Sequence, residues 1–195
     1  LKPTPWLTER HGYDPTSANA IFPLERLTDT WGELIYGKED KKMAFDKAKE
    51  YLKQMGLENR IMVFDTSSAT VELAAQAVGC EPERIAKTLS FKVGEDCILI
   101  VAAGDARIDN SKYKAQFHTK AKMLAPDEVE DMVGHAIGGV CPFGVKEGVK
   151  VYLDTSLKRF ESVYPACGSS NSAVELALSE LEMASGYEAW IDVCK

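Results

Sequence analysis

What this chain lacks narrows its function before any motif is read. No apolar run in its 195 residues approaches the roughly 20 needed to cross a bilayer, and no segment reads as a secretory signal. The five cysteines are odd in number and form no Cys-x-x-Cys pair, so they suggest neither a disulfide framework nor a zinc site. The three histidines, His11, His118 and His135, show no His-x-x-x-His spacing, so metal chemistry has no evident ligand set. Acidic residues outnumber basic ones for a net charge of -7, which argues against a broad basic face for nucleic acid but allows a small basic rim. No Gly-x-Ser-x-Gly, no phosphate-loop lysine after a glycine run, and no Gly-x-Gly-x-x-Gly opening a helix occurs, so the usual serine-hydrolase and nucleotide signatures are missing. These absences point to a cytoplasmic chain that uses no membrane, metal or cofactor.

What remains is a globular composition, 45% hydrophobic and 27% charged, long enough for one ordinary domain and an appendage. Residues 1–38 carry Pro3, Pro5, Trp6, Pro15, Pro23 and Trp31 without a sustained period and read as an irregular N-terminal arm. The start at Leu1 rather than Met suggests a trimmed or partial N-terminus. From Lys42 a 3.6 period sets in, with Phe45, Ala48, Leu52 and Met55 on one face and Gly56 as the stop. Ile61 to Phe64 reads as a short strand, and Asp65 to Ser68 offers caps for a helix through Val71, Ala74, Ala75 and Val78. Pro82 opens a short helical turn.

Lys87 to Val93 and Cys97 to Ala103 form a predicted hairpin across Gly94-Glu95-Asp96. Helices are expected from Asp109 to Phe117 and from Pro126 to Gly134, and strands at Val149 to Leu153 and Ser162 to Ala166. Ser172 to Glu175 has capping-box spacing for a helix bearing Ala177, Leu178 and Leu181, and Glu188 to Val193 is a closing strand. Without a regular βαβ repeat, residues 39–195 are expected to form a single α+β domain around a mixed, mainly antiparallel sheet with surrounding helices.

Two features carry possible chemistry. His135 to Gly144 contains Gly138, Gly139 and Gly144 with Pro142, so it is either a tight turn or a backbone cradle for a ligand. Lys87 leads an apolar strand and is either a solvated strand end or a fixed cation in a cleft shared with that loop. In the second case, backbone donors would hold a developing oxyanion while lysine orients a charged or hydroxyl-bearing substrate. Cys141, inside the loop, is either a small buried hydrophobe or a nucleophile without an obvious base. Ser169 and Ser170 read as turn or cap residues.

Taken in order, Ala86-Lys87-Thr88-Leu89, Gly104-Asp105-Ala106-Arg107-Ile108-Asp109 with Lys112, Met123 to Val129, and Gly138-Gly139-Val140-Cys141-Pro142-Phe143-Gly144 resemble the YbaK/ProX proteins. That family is similar to the editing domain inserted in bacterial prolyl-tRNA synthetases, and the likeness spans roughly Leu57 to Leu181. It implies a trans-acting deacylase that cleaves the ester of a mischarged tRNA, with tRNA(Pro) carrying cysteine or alanine as the implied substrate, without an enzyme nucleophile, metal or cofactor. By the same resemblance, Lys87, Gly138, Gly139 and Gly144 are the catalytic candidates. Thr66, Asp105, Arg107, Lys112, His135, Cys141, Pro142, Phe143, Gly168 and Ser169 are candidates for substrate binding. The implied partners are the tRNA acceptor end and prolyl-tRNA synthetase, and the chain is expected as a monomer or homodimer.

The family often has tyrosine where His135 stands, serine where Cys141 stands, and basic residues after the glycine at Gly168. Two rivals therefore stay open. One is a non-catalytic module of the same fold that binds an aminoacyl-adenosine-like ligand or a protein. The other is an ester or thioester hydrolase working through Cys141.

Overall fold

The computed structural model describes residues 43–195, and the arm expected at 1–38 lies outside them. A first helix, α1, covers 43–54 and buries Ala44, Ala48 and Leu52 on the face the periodicity indicates. Strand β1, Ile61–Val63, leads through a polar loop into α2, Val71–Val78. Thr70 is the N-cap of α2, its hydroxyl accepting from the Leu73 N–H at 3.3 Å, so the cap lies after the expected Asp65 to Ser68 stretch. A 3-10 turn at Pro82–Arg84 then delivers the chain to β2, Ile85–Val93.

The β2–β3 hairpin is the longest ladder, with β3 at Asp96–Ala103. Val93 pairs with Asp96, so the connection is the two residues Gly94-Glu95 rather than three, with Gly94 at φ 64°. Helices α3, Asn110–Phe117, and α4, Pro126–Val133, follow, and then β4, Lys150–Asp154, and β5, Ser162–Pro165. Strand β6, Ser172–Val174, precedes β7, Leu176–Ala177, helix α5, Leu178–Ser185, and β8, Ala189–Ile191.

Six strands form one mixed sheet in the order β7-β5-β2-β3-β4-β8, while β1 and β6 pair apart from it. Strand β3 sits centrally, and every residue from Cys97 to Ala103 is buried, as a strand covered on both faces must be. The β2–β3 ladder is antiparallel, and β2–β5, β3–β4 and β4–β8 are parallel. The fold is therefore α+β with a mixed sheet, as the order of elements in the sequence indicates.

One expected helix start is a strand. Ser172, Ala173 and Val174 are all buried and pair with Val63, Met62 and Ile61 of β1, so burial on both sides overrides the capping-box spacing. Helix α5 starts later, where the Glu180 carboxylate accepts from the Ala177 N–H at 2.8 Å without a reciprocal side-chain cap. The β1–β6 pairing brings the loop after β1 against 168–171, with Phe64 N–H donating to Asn171 O at 2.8 Å and Ser68 N–H to Ser170 O at 2.6 Å.

Gly104, just past β3, packs on the 3-10 turn: a Cβ there would fall 1.9 Å from the Pro82 carbonyl oxygen and 2.7 Å from Val71. Gly104→Ala is expected to cost about 2–3 kcal/mol, as forced overpacking does, read as a lower urea midpoint at unchanged slope. A variant as stable as the parent would show that this strand end gives way freely.

Candidate functional site

A cleft of about 540 Å³ opens between α2, the edge of β2, the start of α4 and the glycine loop. Its wall includes Lys87 and Gly138, which the sequence placed fifty residues apart. Apolar side chains dominate it, among them Val71, Ala74, Leu89, Val140 and Ala166. Met123 and Ile137, 56% and 54% exposed, stand among its lining residues.

Lys87 is half-buried rather than a free strand end. Its ammonium donates to the carbonyl oxygen of Gly104 at 2.8 Å and to that of Ala106. Burial is the main cause holding its pKa below the ordinary lysine range; the Arg107 charge acts in the same direction, and Asp105 and Glu72 act against it. An ammonium has three donors, so two carbonyls leave one N–H for a ligand. Thr88 lines the same cleft, and its hydroxyl oxygen is buried without a hydrogen-bond partner.

Glycine is required where the loop meets the 168–170 segment. Gly138 has φ 83°, and a Cβ there would sit 3.1 Å from Ala69 Cβ and 3.3 Å from Ser170 Cβ. At Gly139 a Cβ would fall 2.7 Å from the backbone of Ser169, so the two loops touch backbone to backbone. The Gly139 N–H donates to Ala136 O at 3.1 Å and the Cys141 N–H to His135 Nδ1 at 3.3 Å, so both are engaged within the loop.

The other candidates separate. Gly144 packs against the backbone of Lys47 in α1 and, with Pro142, lines a second cavity of about 420 Å³ rather than the Lys87 cleft. Phe143 is a core side chain with no exposed surface, and Gly168 packs on Ala44 of α1. Thr66 is exposed in the loop after β1 and is not part of the cleft wall, which Ser68, Ala69 and Thr70 form instead. Asp105 is paired with Arg159, whose hydrogen bonds hold its carboxyl below the usual range, and Lys112 is tied to Asp192 at 2.7 Å and to Cys194 O at 2.8 Å. Arg107 is exposed, its backbone paired with Lys195. The Ser169 hydroxyl meets Ser172 Oγ at 2.7 Å and Asn171 Oδ1 at 2.9 Å, joining the loop segment to β6.

Cys141 has a histidine neighbour that the sequence did not reveal, since His135 Nδ1 lies 3.7 Å from its sulfur. Both side chains are fully buried. Burial raises the Cys141 thiol far above its usual range and lowers His135 to about 4, so the pair is neutral and packs rather than reacts. Tyr164, another part of the cleft wall, was also not foreseen, because only the β2–β5 register brings it there. Among the described residues no three His, Cys, Asp or Glu side chains are grouped to hold a metal, and no helix is long and apolar enough to cross a membrane.

Comparison with known proteins agrees with this architecture. The aminoacyl-tRNA editing domain family matches residues 65–183, which contain Lys87 and the glycine loop, and the chain belongs to that family. The uncharacterized protein YwhH of Bacillus subtilis (strain 168) is 54% identical over 154 residues, covering 78% of this chain and 98% of that protein. The proline--tRNA ligase of Geobacillus sp. (strain WCH70) is 28% identical over 127 residues, 65% of this chain but only 21% of the ligase. A solved structure described as a candidate trans-editing enzyme for prolyl tRNA synthetase superposes with a TM-score of 0.70 at 27% identity, covering 78% of this chain and 97% of that one.

His135 makes native stability acid-sensitive with a definite sign. The unfolded chain binds a proton near pH 6.5, whereas the buried ring resists protonation down to about 4, so stability present above pH 6.5 is lost as the pH falls toward 4. The loss from this residue is about 3 kcal/mol by pH 4, measured as a fall in urea-unfolding free energy that His135→Gln flattens. In the unmodified protein, NMR titration should show the His135 ring still neutral at pH 5.5. A ring that titrates near 6.5 would contradict its burial.

Proposed function

We propose that this chain is a trans-acting aminoacyl-tRNA deacylase, and that the cleft between β2, α2 and the glycine loop takes the aminoacylated 3′ end. The observation that carries the reading is Lys87: a half-buried ammonium, braced by the Gly104 and Ala106 carbonyls, on the wall of a cleft that also contains Gly138. Membership of the editing-domain family and the likeness to a trans-editing candidate support it.

In this mechanism Lys87 directs its remaining N–H to the ribose or phosphate of the terminal nucleotide. Its role is to fix the ester, a positioning effect for which a misplacement of about 1 Å costs roughly a hundredfold in rate. Backbone N–H groups of Gly138 and Val140, the loop residues on the cleft wall, hold the carbonyl oxygen as it becomes negative. Water attacks the carbonyl carbon to release the free amino acid, or the thiol of a cysteinyl substrate attacks it to release a cyclic thioester; in either case the bond to the ribose oxygen breaks, and the proton lost by the attacking group goes to that oxygen, which leaves as the tRNA hydroxyl. The small apolar wall suits a small side chain, and tRNA(Pro) carrying alanine or cysteine is the proposed substrate. Gly144, Pro142, Phe143 and Gly168 act through packing that holds the loop. The reaction is placed in the cytoplasm, with prolyl-tRNA synthetase as the proposed partner.

The test is deacylation of tRNA(Pro) charged with alanine, cysteine, serine or proline. The unmodified protein is expected to release a small non-cognate amino acid while sparing proline, and Lys87→Ala to slow that release about a hundredfold. Cys141→Ala, if the thiol is only packing, retains the activity. A Lys87→Ala rate equal to the parent would remove lysine from the mechanism, and inactivation by Cys141→Ala in a folded protein would favour a thiol hydrolase. Absence of turnover on every species would favour a non-catalytic binding module.

A further inference from the structure

The cleft has a feature that ester hydrolysis does not use. Tyr164 in β5 stands in parallel register with Ile85 of β2, and Lys87 lies two residues further along β2. Neighbours in register share a face, and so do residues two apart on a strand, so Tyr164, Ile85 and Lys87 are on one side of the sheet. One strand spacing and two residue rises separate the backbone positions of Tyr164 and Lys87 by about 8 Å. That separation is comparable with the length of a nucleoside.

Tyr164 is held at its hydroxyl and flanked at its ring. Its hydroxyl donates to Glu175 Oε1 at 2.9 Å, and the same oxygen accepts from the Ser162 hydroxyl at 3.2 Å. The Arg84 guanidinium lies 5.0 Å from the ring centroid and donates to the Ser162 carbonyl and hydroxyl. Arg84 and Glu175 are themselves 3.9 Å apart, with side chains 30% and 49% exposed, a pair that adds little to stability. What the cluster does accomplish is orientation: the ring is fixed beside a cation and forms part of the cleft wall.

We propose that Tyr164, with Arg84 behind it, is a stacking platform for the terminal nucleobase of the tRNA acceptor strand, whose ribose and ester then reach Lys87 and the glycine loop. The assignment rests on the deacylase reading for the identity of the ligand. A pre-oriented aromatic ring suits this ligand because every base has a π-face, and little side-chain freedom is lost when it stacks. Such a platform also explains how a chain of net charge -7 engages a nucleic acid end through a base rather than through a row of phosphates.

The experiment compares adenosine 5′-monophosphate with ribose 5-phosphate as calorimetric ligands for the unmodified protein, Tyr164→Phe and Tyr164→Leu. Leucine keeps apolar packing, and phenylalanine keeps the ring while losing the Glu175 bond; circular dichroism confirms that both variants fold. The expected result is tighter binding of the nucleotide than of the sugar phosphate, retained by Tyr164→Phe and weakened roughly ten- to a hundredfold in Tyr164→Leu, the range for losing a stacked base. In deacylation assays Tyr164→Leu raises KM by a similar factor with kcat unchanged. Equal binding of the two ligands, or a Tyr164→Leu variant that binds the nucleotide like the parent, overturns the platform. Tyr164-dependent nucleotide binding without turnover of any charged tRNA would uphold the platform and reject the deacylase; turnover with the same KM in Tyr164→Leu would do the reverse.

Discussion

A lysine withdrawn halfway from water must be compensated, and much of the site's architecture supplies that compensation. Lys87 reaches past its own strand to the carbonyls of Gly104 and Ala106, which lie beyond the end of β3. Those carbonyls are held in turn. Gly104 packs on the Pro82 carbonyl, and the segment after it is braced by the chain end: Arg107 and Lys195 exchange backbone hydrogen bonds, and the Asp109 N–H donates to Val193 O at 2.8 Å. Lys112, on α3, secures the same end through Cys194 O. The basic candidates therefore divide, with Lys112 committed to the scaffold and Lys87 on the cleft wall with a donor to spare.

The other half of the cleft depends on close approach of backbones. Gly139 lets the loop touch Ser169, and the β1–β6 pairing fixes the segment it touches. His135 and Cys141 stabilise this loop from within as a neutral, fully buried pair. Their closeness could suggest a nucleophile and its base, but burial opposes the thiolate and imidazolium that such chemistry needs. The buried sulfur thus packs beneath the loop, while Lys87 stands on the mainly apolar cleft wall.

Much of this was legible in the sequence because local signals and tertiary context agree. The α1 period, the hairpin, Pro126 opening α4 and Gly134 closing it all follow from propensity and caps. Ser172 to Val174 misleads because its capping-box spacing is real, while burial and pairing with β1, both non-local, decide the outcome. Gly144 shares a motif with Gly138 but faces α1, since sequence proximity within a loop does not fix which side of it meets a ligand. The parts of the site that lay hidden, Tyr164 beside Ile85 and Ser68 to Thr70 on the cleft wall, come from strand register, which no short motif encodes.

In the proposed mechanism an aminoacylated adenosine lies across β2 with its ester between Lys87 and the glycine loop. The most direct measurement is a crystal structure with 3′-alanylamino-3′-deoxyadenosine 5′-monophosphate, in which an amide replaces the hydrolysable ester. The account requires the amide carbonyl against the Gly138–Val140 backbone and a ribose or phosphate oxygen within hydrogen-bond distance of Lys87 Nζ. An analogue bound outside this cleft, with Lys87 still meeting only the Gly104 and Ala106 carbonyls, would contradict it.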